Sequence, residues 1–235
     1  MKKIFNGFIF IFLCLIMLTG CKCSPDLAEK TGVAYGLAYN NYVARVEVKM
    51  KGDKVIDIKI DEALTPTDWA IADYNQDHDY LVNHNDKRYA KHLKIGDVVL
   101  NFDLTDDRVS WKNDKISSLD EHLKTEDNAK WYYESLMDNK VSIVDSSNNV
   151  INDLKFKSMK MFKSAGEYWP KDENTLGWDG NIKELIKGMI ETNLQTQPTK
   201  NEQNKVTFGN TVTSATLVGY LDYYKIALNA VKNAK

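Results

Sequence analysis

Proline and histidine are scarce in this chain, with 4 of each among 235 residues, and cysteine is scarcer, with 3. Cys14, Cys21 and Cys23 all stand near the start, so the remainder has no internal disulfide and no cysteine-based metal site. His78, His84, His92 and His122 lack zinc-site spacing and read as solvated loop residues. No Gly-x-Ser-x-Gly or His-Glu-x-x-His motif occurs, which leaves a surface hydrolase without support. Neither charge dominates: the formal net charge is −2, so there is no electrostatic footprint for nucleic acid. Hydrophobic content of 43% and aromatic content of 11% exclude a disordered stalk and leave a globular domain stabilised by its core alone.

One long apolar run is present, Ile4 to Leu18, broken only by Asn6 and Gly7 and preceded by Lys2 and Lys3. It is shorter than the ~20 apolar residues of a spanning helix and ends in small residues, as a signal peptide does. The cleavage region Leu18-Thr19-Gly20-Cys21 resembles the lipobox of bacterial lipoproteins. That resemblance implies cleavage before Cys21, a diacylglyceryl group on its sulfur, and attachment at the outer face of the bacterial cytoplasmic membrane; paired acyl chains hold stably where one does not. Residues 1–20 are thus expected to be a signal peptide, 21–30 a lipidated tether and 31–235 the folded domain. Losing Lys2 and Lys3 moves the formal charge from −2 to −4.

Within the domain, Ala44, Val46, Val48 and Met50 alternate with polar residues, as do Ile56, Ile58 and Ile60 after Lys51-Gly52-Asp53-Lys54. Period-2 runs joined by a glycine-containing turn predict a β-hairpin with one buried face. Pro66 and the polar stretch Asp73–Asp79 predict loop, Tyr80–Leu93 a short helix, and Val98–Phe102 a strand. Helical spacing runs from Glu126 to Met137, and a second hairpin is expected from Val141–Val144 and Val150–Phe156. The two hairpins align without gaps, compatible with a duplication whose halves are about 31–130 and 131–235. Ile182, Leu185, Ile186, Met189 and Ile190 form one stripe of a helix over Asn181–Leu194; residues 195–204 read as a linker, and Leu217–Ala234 as the last helix. The expected class is α+β: antiparallel hairpins with helices packed on one side.

Chemistry concentrates just before that last helix, in Gly209-Asn210-Thr211-Val212-Thr213-Ser214-Ala215-Thr216. Unpaired first-turn amides and the helix dipole make a helix start a phosphate site, and hydroxyls there either donate to phosphate or cap the helix. The segment resembles the flavinylation motif of the FMN-binding domain family. Its members include the C subunit of the sodium-pumping NADH:quinone reductase, the G subunit of a related electron-transport complex, and Gram-positive electron-transfer lipoproteins. The family pattern is Asp, two variable residues, Ser or Thr, Gly or Ser, Ala, then Thr or Ser. Thr213, Ser214, Ala215 and Thr216 match its last four places, while its leading Asp falls on Asn210, which keeps size and an acceptor oxygen but not the charge. The hairpin from Val46 to Ile60 also resembles the family's opening hairpin, with one extra turn residue; Glu62 to Gln203 does not align.

The resemblance implies an FMN-binding-domain-like fold and a phosphoester, made by a flavin transferase, between FMN and the Thr216 hydroxyl. It further implies an electron carrier, more than an enzyme with its own substrate, between a membrane reductase or quinone pool and an external acceptor. The alternative is a solute-binding or adhesion lipoprotein without cofactor, the hydroxyl segment being a helix cap.

Overall fold

The hairpin read from the alternating valines and isoleucines forms the centre of the molecule. In the computed structural model, which describes residues 28–40, 42–70, 89–105, 108–153 and 169–235, β2 (Tyr42–Lys51) pairs antiparallel with β3 (Lys54–Leu64). Val46 stands opposite Ile60 and Val48 opposite Ile58. Gly52 takes φ 58° in the turn, and a register shift between Lys49 and Met50 absorbs the extra turn residue. The expected signal peptide, Cys21, most of the tether, the Asp73–Asp79 stretch and residues 154–156 lie outside the described residues.

A strand that hydrophobic patterning does not announce, β1 (Glu29–Ala38), pairs antiparallel with β2. Its inward positions are Gly32, Ala34, Gly36 and Ala38, too small to read as an apolar run. Their smallness serves the last helix. A Cβ on Gly32 would fall 1.9 Å from the Ala230 carbonyl oxygen, and one on Gly36 would fall 2.9 Å from the Ile226 side chain.

The helices are α1 (Pro66–Trp69), α2 (Leu119–His122), α3 (Glu126–Met137), α4 (Gly177–Glu191) and α5 (Tyr220–Lys232). Helices α4 and α5 cover one face of the sheet, where Leu185, Met189, Tyr223, Ile226, Ala227 and Ala230 share a core with Val46, Val48, Val55, Ile58 and Ile60. The opposite face packs through Val43, Ala63, Tyr35 and Leu37 against Ala129, Tyr132, Tyr133 and Leu136 of α3. The same core reaches a five-stranded antiparallel sheet of order β6-β5-β4-β7-β8. Its strands are β4 (His92–Ile95), β5 (Val98–Thr105), β6 (Arg108–Lys112), β7 (Val141–Val144) and β8 (Val150–Asp153). The class is therefore α+β with antiparallel sheets, but the helices are not confined to one side. Apolar residues at both parities of β1–β3 give the sheet two faces to bury.

Other boundaries differ for identifiable reasons. Residues 80–88 of the expected Tyr80–Leu93 helix are not described, and its end is strand, from His92 onward. Helix α4 begins at Gly177 and stops at Glu191, because Asn193 and Leu194 take φ of 53° and 55°. Asn193 then secures the β2–β3 turn: its Oδ1 accepts from the Val55 amide at 2.7 Å and its Nδ2 donates to the Asp53 carbonyl at 3.0 Å. The expected linker contains β9 (Thr199–Lys200), which joins β10 (Val206–Phe208) and β11 (Thr211–Val212) in a small sheet of order β11-β10-β9. Of the two hairpins, one lies in the three-stranded sheet and the other in the five-stranded one.

Two consecutive acids on β3 tie the layers together. Asp61 accepts from the Tyr133 hydroxyl of α3 at 2.7 Å, while Glu62, 0% exposed on the opposite face, accepts from the Tyr223 hydroxyl of α5. Burial and then the adjacent carboxylate hold the Tyr223 hydroxyl well above the ordinary tyrosine range. A group whose pKa is raised by folding adds stability that is complete below its unfolded value, near 10, and is lost as pH climbs toward the folded one. The urea midpoint is therefore expected to hold to about pH 10 and then fall, and Tyr223→Phe should flatten part of that fall; an alkaline limb unchanged by the substitution would refute the tie. Gly32→Ala should lower stability by about 1–3 kcal/mol in the same assay, because the new methyl meets backbone rather than a movable side chain.

Candidate functional site

Residues 209–216 do not sit at a helix start. Helix α5 begins at Tyr220, its N-cap is Gly219, and no side chain caps it. The segment instead leaves β11 as extended chain, in which Thr213, Ala215 and Leu217 are buried while Val212, Ser214, Thr216 and Val218 are exposed. The expectation of hydroxyls gathered on first-turn amides is thus corrected, as is the alternative of Thr213 or Ser214 capping the helix. Backbone pairing explains the extension: Thr213 N donates to Val206 O at 3.0 Å, and Val206 N donates to Ala215 O at 2.8 Å, so the segment prolongs the β10–β11 ladder.

Each predicted residue now has a place. Asn210 is the second residue of the tight β10–β11 turn, after Gly209 at φ 59°, a conformation suited to the first position of a type II′ turn. The turn closes the far end of the ladder from Thr216, so the structure does not bring Asn210 and Thr216 together. Thr213 is 5% exposed; its hydroxyl donates to Val206 O at 2.7 Å and accepts from the Ala215 amide at 3.2 Å, so it is committed to the backbone. Ala215 is 0% exposed and leaves no room for a larger side chain. Ser214 and Thr216 are the reachable hydroxyls of the motif, and their surroundings differ. The Ser214 amide donates to the Glu184 carboxylate at 3.2 Å, which puts negative charge beside it.

Thr216 is held from below and flanked by a cation. Its amide donates to Asn181 Oδ1 at 2.7 Å, and its hydroxyl reaches the same oxygen at 3.3 Å. Asn181, fully buried in α4, is itself fixed by donating from Nδ2 to Gly177 O at 2.7 Å. The Lys200 ammonium donates to the Thr216 carbonyl at 3.0 Å and to Asn204 Oδ1 at 2.8 Å, and lies 5.8 Å from the centre of the Tyr220 ring. Among the described residues Lys200 has no carboxylate partner. Helix α4 approaches this closely because Gly188 has no side chain: a Cβ there would fall 2.4 Å from the Phe208 ring and 3.2 Å from Thr213 Cγ2.

Neither Asn181 nor Lys200 emerges from the motif. Asn181 left one trace, a polar residue at helical spacing from Leu185 and Met189 on an otherwise apolar stripe. Of the described histidines, His92 lies on β4 beside Asn101 Oδ1 (2.8 Å), and His122 on α2 contacts Asn128. Both therefore stand in regular elements, not loops. A separate surface cavity of about 460 Å³, lined by Lys94, Asp97, Asn139, Lys140 and Ser142, holds none of the motif residues. Comparison with known proteins finds no matching family model, no matching curated protein and no matching solved structure. Among the described residues no helix is long and apolar enough to cross a membrane.

Asn181→Ala should lower stability by about 1–3 kcal/mol, because it removes the side-chain bond to the Gly177 carbonyl and leaves the Thr216 amide without its acceptor. Hydrogen exchange at Thr216 should rise with it; protection left unchanged would show that something other than Asn181 holds the segment.

Proposed function

We propose that this chain is a lipid-anchored flavoprotein at the outer face of the bacterial cytoplasmic membrane, related to the FMN-binding domain family. It carries FMN as a phosphoester on Thr216 and passes electrons between a membrane reductase or quinone pool and an external acceptor. The observation that carries the reading is Thr216 itself: an exposed residue of an extended segment, its amide and hydroxyl both on Asn181 Oδ1 and its carbonyl taken by the Lys200 ammonium. The donor set suits a phosphodiester. Lys200, on the carbonyl of the same residue, brings a positive charge to the segment, and Asn181 keeps the Thr216 amide in place when the hydroxyl proton is replaced. Asn210 in place of the family's Asp keeps the turn, whose second position has no need of a carboxylate for its shape.

Covalent attachment suits the proposed location, since a cofactor held only by contacts would be diluted outside the cell. FMN supplies both one- and two-electron steps, and the polypeptide binds and orients it. Lipid on Cys21 would restrict this carrier to the membrane. Eight residue steps separate Cys21 from Glu29, the first residue of β1, so the tether spans at most about 30 Å.

The test is intact mass after co-expression with a flavin transferase. Wild type should gain the mass of one esterified FMN, Thr216→Ala should gain none, and Ser214→Ala should still gain it. Absence of the gain in wild type, or its survival in Thr216→Ala, would remove the reading and leave a binding lipoprotein without cofactor.

A further inference from the structure

The turn between β1 and β2 is closed by two consecutive left-handed residues, Tyr39 and Asn40, as a type I′ turn requires, and a tyrosine is an unusual choice for the first of them. Seven non-glycine residues have positive φ among the described residues, and five of them are Asn, which tolerates it. The two exceptions are Leu194 and Tyr39. Leu194 is 5% exposed, so the core holds it there. Tyr39, at φ 53°, is 51% exposed and buries little in return. Its backbone is nonetheless pinned, because its amide donates to Asp222 Oδ2 of α5 at 3.1 Å. An exposed bulky residue kept in a sparsely populated conformation is the kind of feature that accompanies a binding role.

Its neighbours say which one. Tyr39 borders Gly219, where an added Cβ would meet Tyr39 Cβ at 3.4 Å. Gly219 follows Val218, 67% exposed, and stands three residues beyond Thr216. An aromatic ring and a branched aliphatic side chain are thus presented outward within a few residues of the reactive hydroxyl, and Gly219 adds no side chain between them. Flat apolar rings favour such surfaces.

We infer that Tyr39 and Val218 form the seat on which the flavin ring attached at Thr216 stacks, Tyr39 being the aromatic face. This rests on the reading of Thr216 as the FMN attachment residue. Thr216 and Val218 are exposed positions two residues apart on the same extended segment, which puts Val218 on the side that carries the attachment residue.

The experiment compares full-length wild type, Tyr39→Trp and Tyr39→Gly, each co-expressed with a flavin transferase. Intact mass reports attachment, and flavin fluorescence per attached FMN reports stacking. Glycine is at ease at positive φ, so Tyr39→Gly should fold at least as well as wild type. All three proteins should gain FMN mass, with the flavin quenched in wild type and Tyr39→Trp, whose rings can both donate an electron to the excited flavin, and several-fold brighter in Tyr39→Gly. Equal fluorescence in the three loaded proteins would overturn the seat while leaving attachment intact. No FMN mass on wild type would overturn both.

Discussion

Helix α5 lies almost on the backbone of β1, and much of the molecule follows from that closeness. Gly32, Ala34, Gly36 and Ala38 expose a strip of main chain along one face of the strand, and the helix settles into it with Ile226, Ala227 and Ala230. Dispersion falls steeply with separation, so a helix seated this deeply gains contacts along its whole length and holds one position rather than several. The position of α5 then fixes what precedes it. Gly219 is held against Tyr39, and the extended segment through Thr216 is held between the helix start and the β10 ladder.

The same strip explains what patterning could and could not reveal. Strong alternation identified β2 and β3, and long helical stripes identified α3, α4 and α5 within a few residues. Those signals arise where large side chains are buried on one face. Strand β1 is buried on that face by small residues, so its inward positions carry almost no hydrophobic weight. The short strands β9, β10 and β11 are invisible for another reason: they hold two or three residues each, less than one full alternation. A stretch rich in Thr, Asn and Gln therefore looks like a linker although Lys200 within it meets Thr216.

The candidate site shows a similar division. Its local sequence marked the hydroxyls, but the partners of Thr216 come from α4 and β9, 35 and 16 residues away, and no short window contains them. Spacing also misplaced the segment, because Leu217 and Leu221 continue the helical stripe toward residues that in fact belong to an extended chain. Hydrogen bonding to Val206 outweighs helical propensity there, which is a tertiary decision.

The direction in which α5 runs has a geometric result. Its C-terminal end lies over Gly32, its middle over Gly36, and the residue before its first turn beside Tyr39, so helix and strand are antiparallel along their full length. The chain therefore enters the domain at one pole, and Thr216 stands near the other, about 30 Å away along a strand of ten residues. In the proposed lipid-anchored carrier, Glu29 would lie toward the membrane and Thr216 away from it. On that proposal a partner arriving from outside would meet the Thr216 pole first.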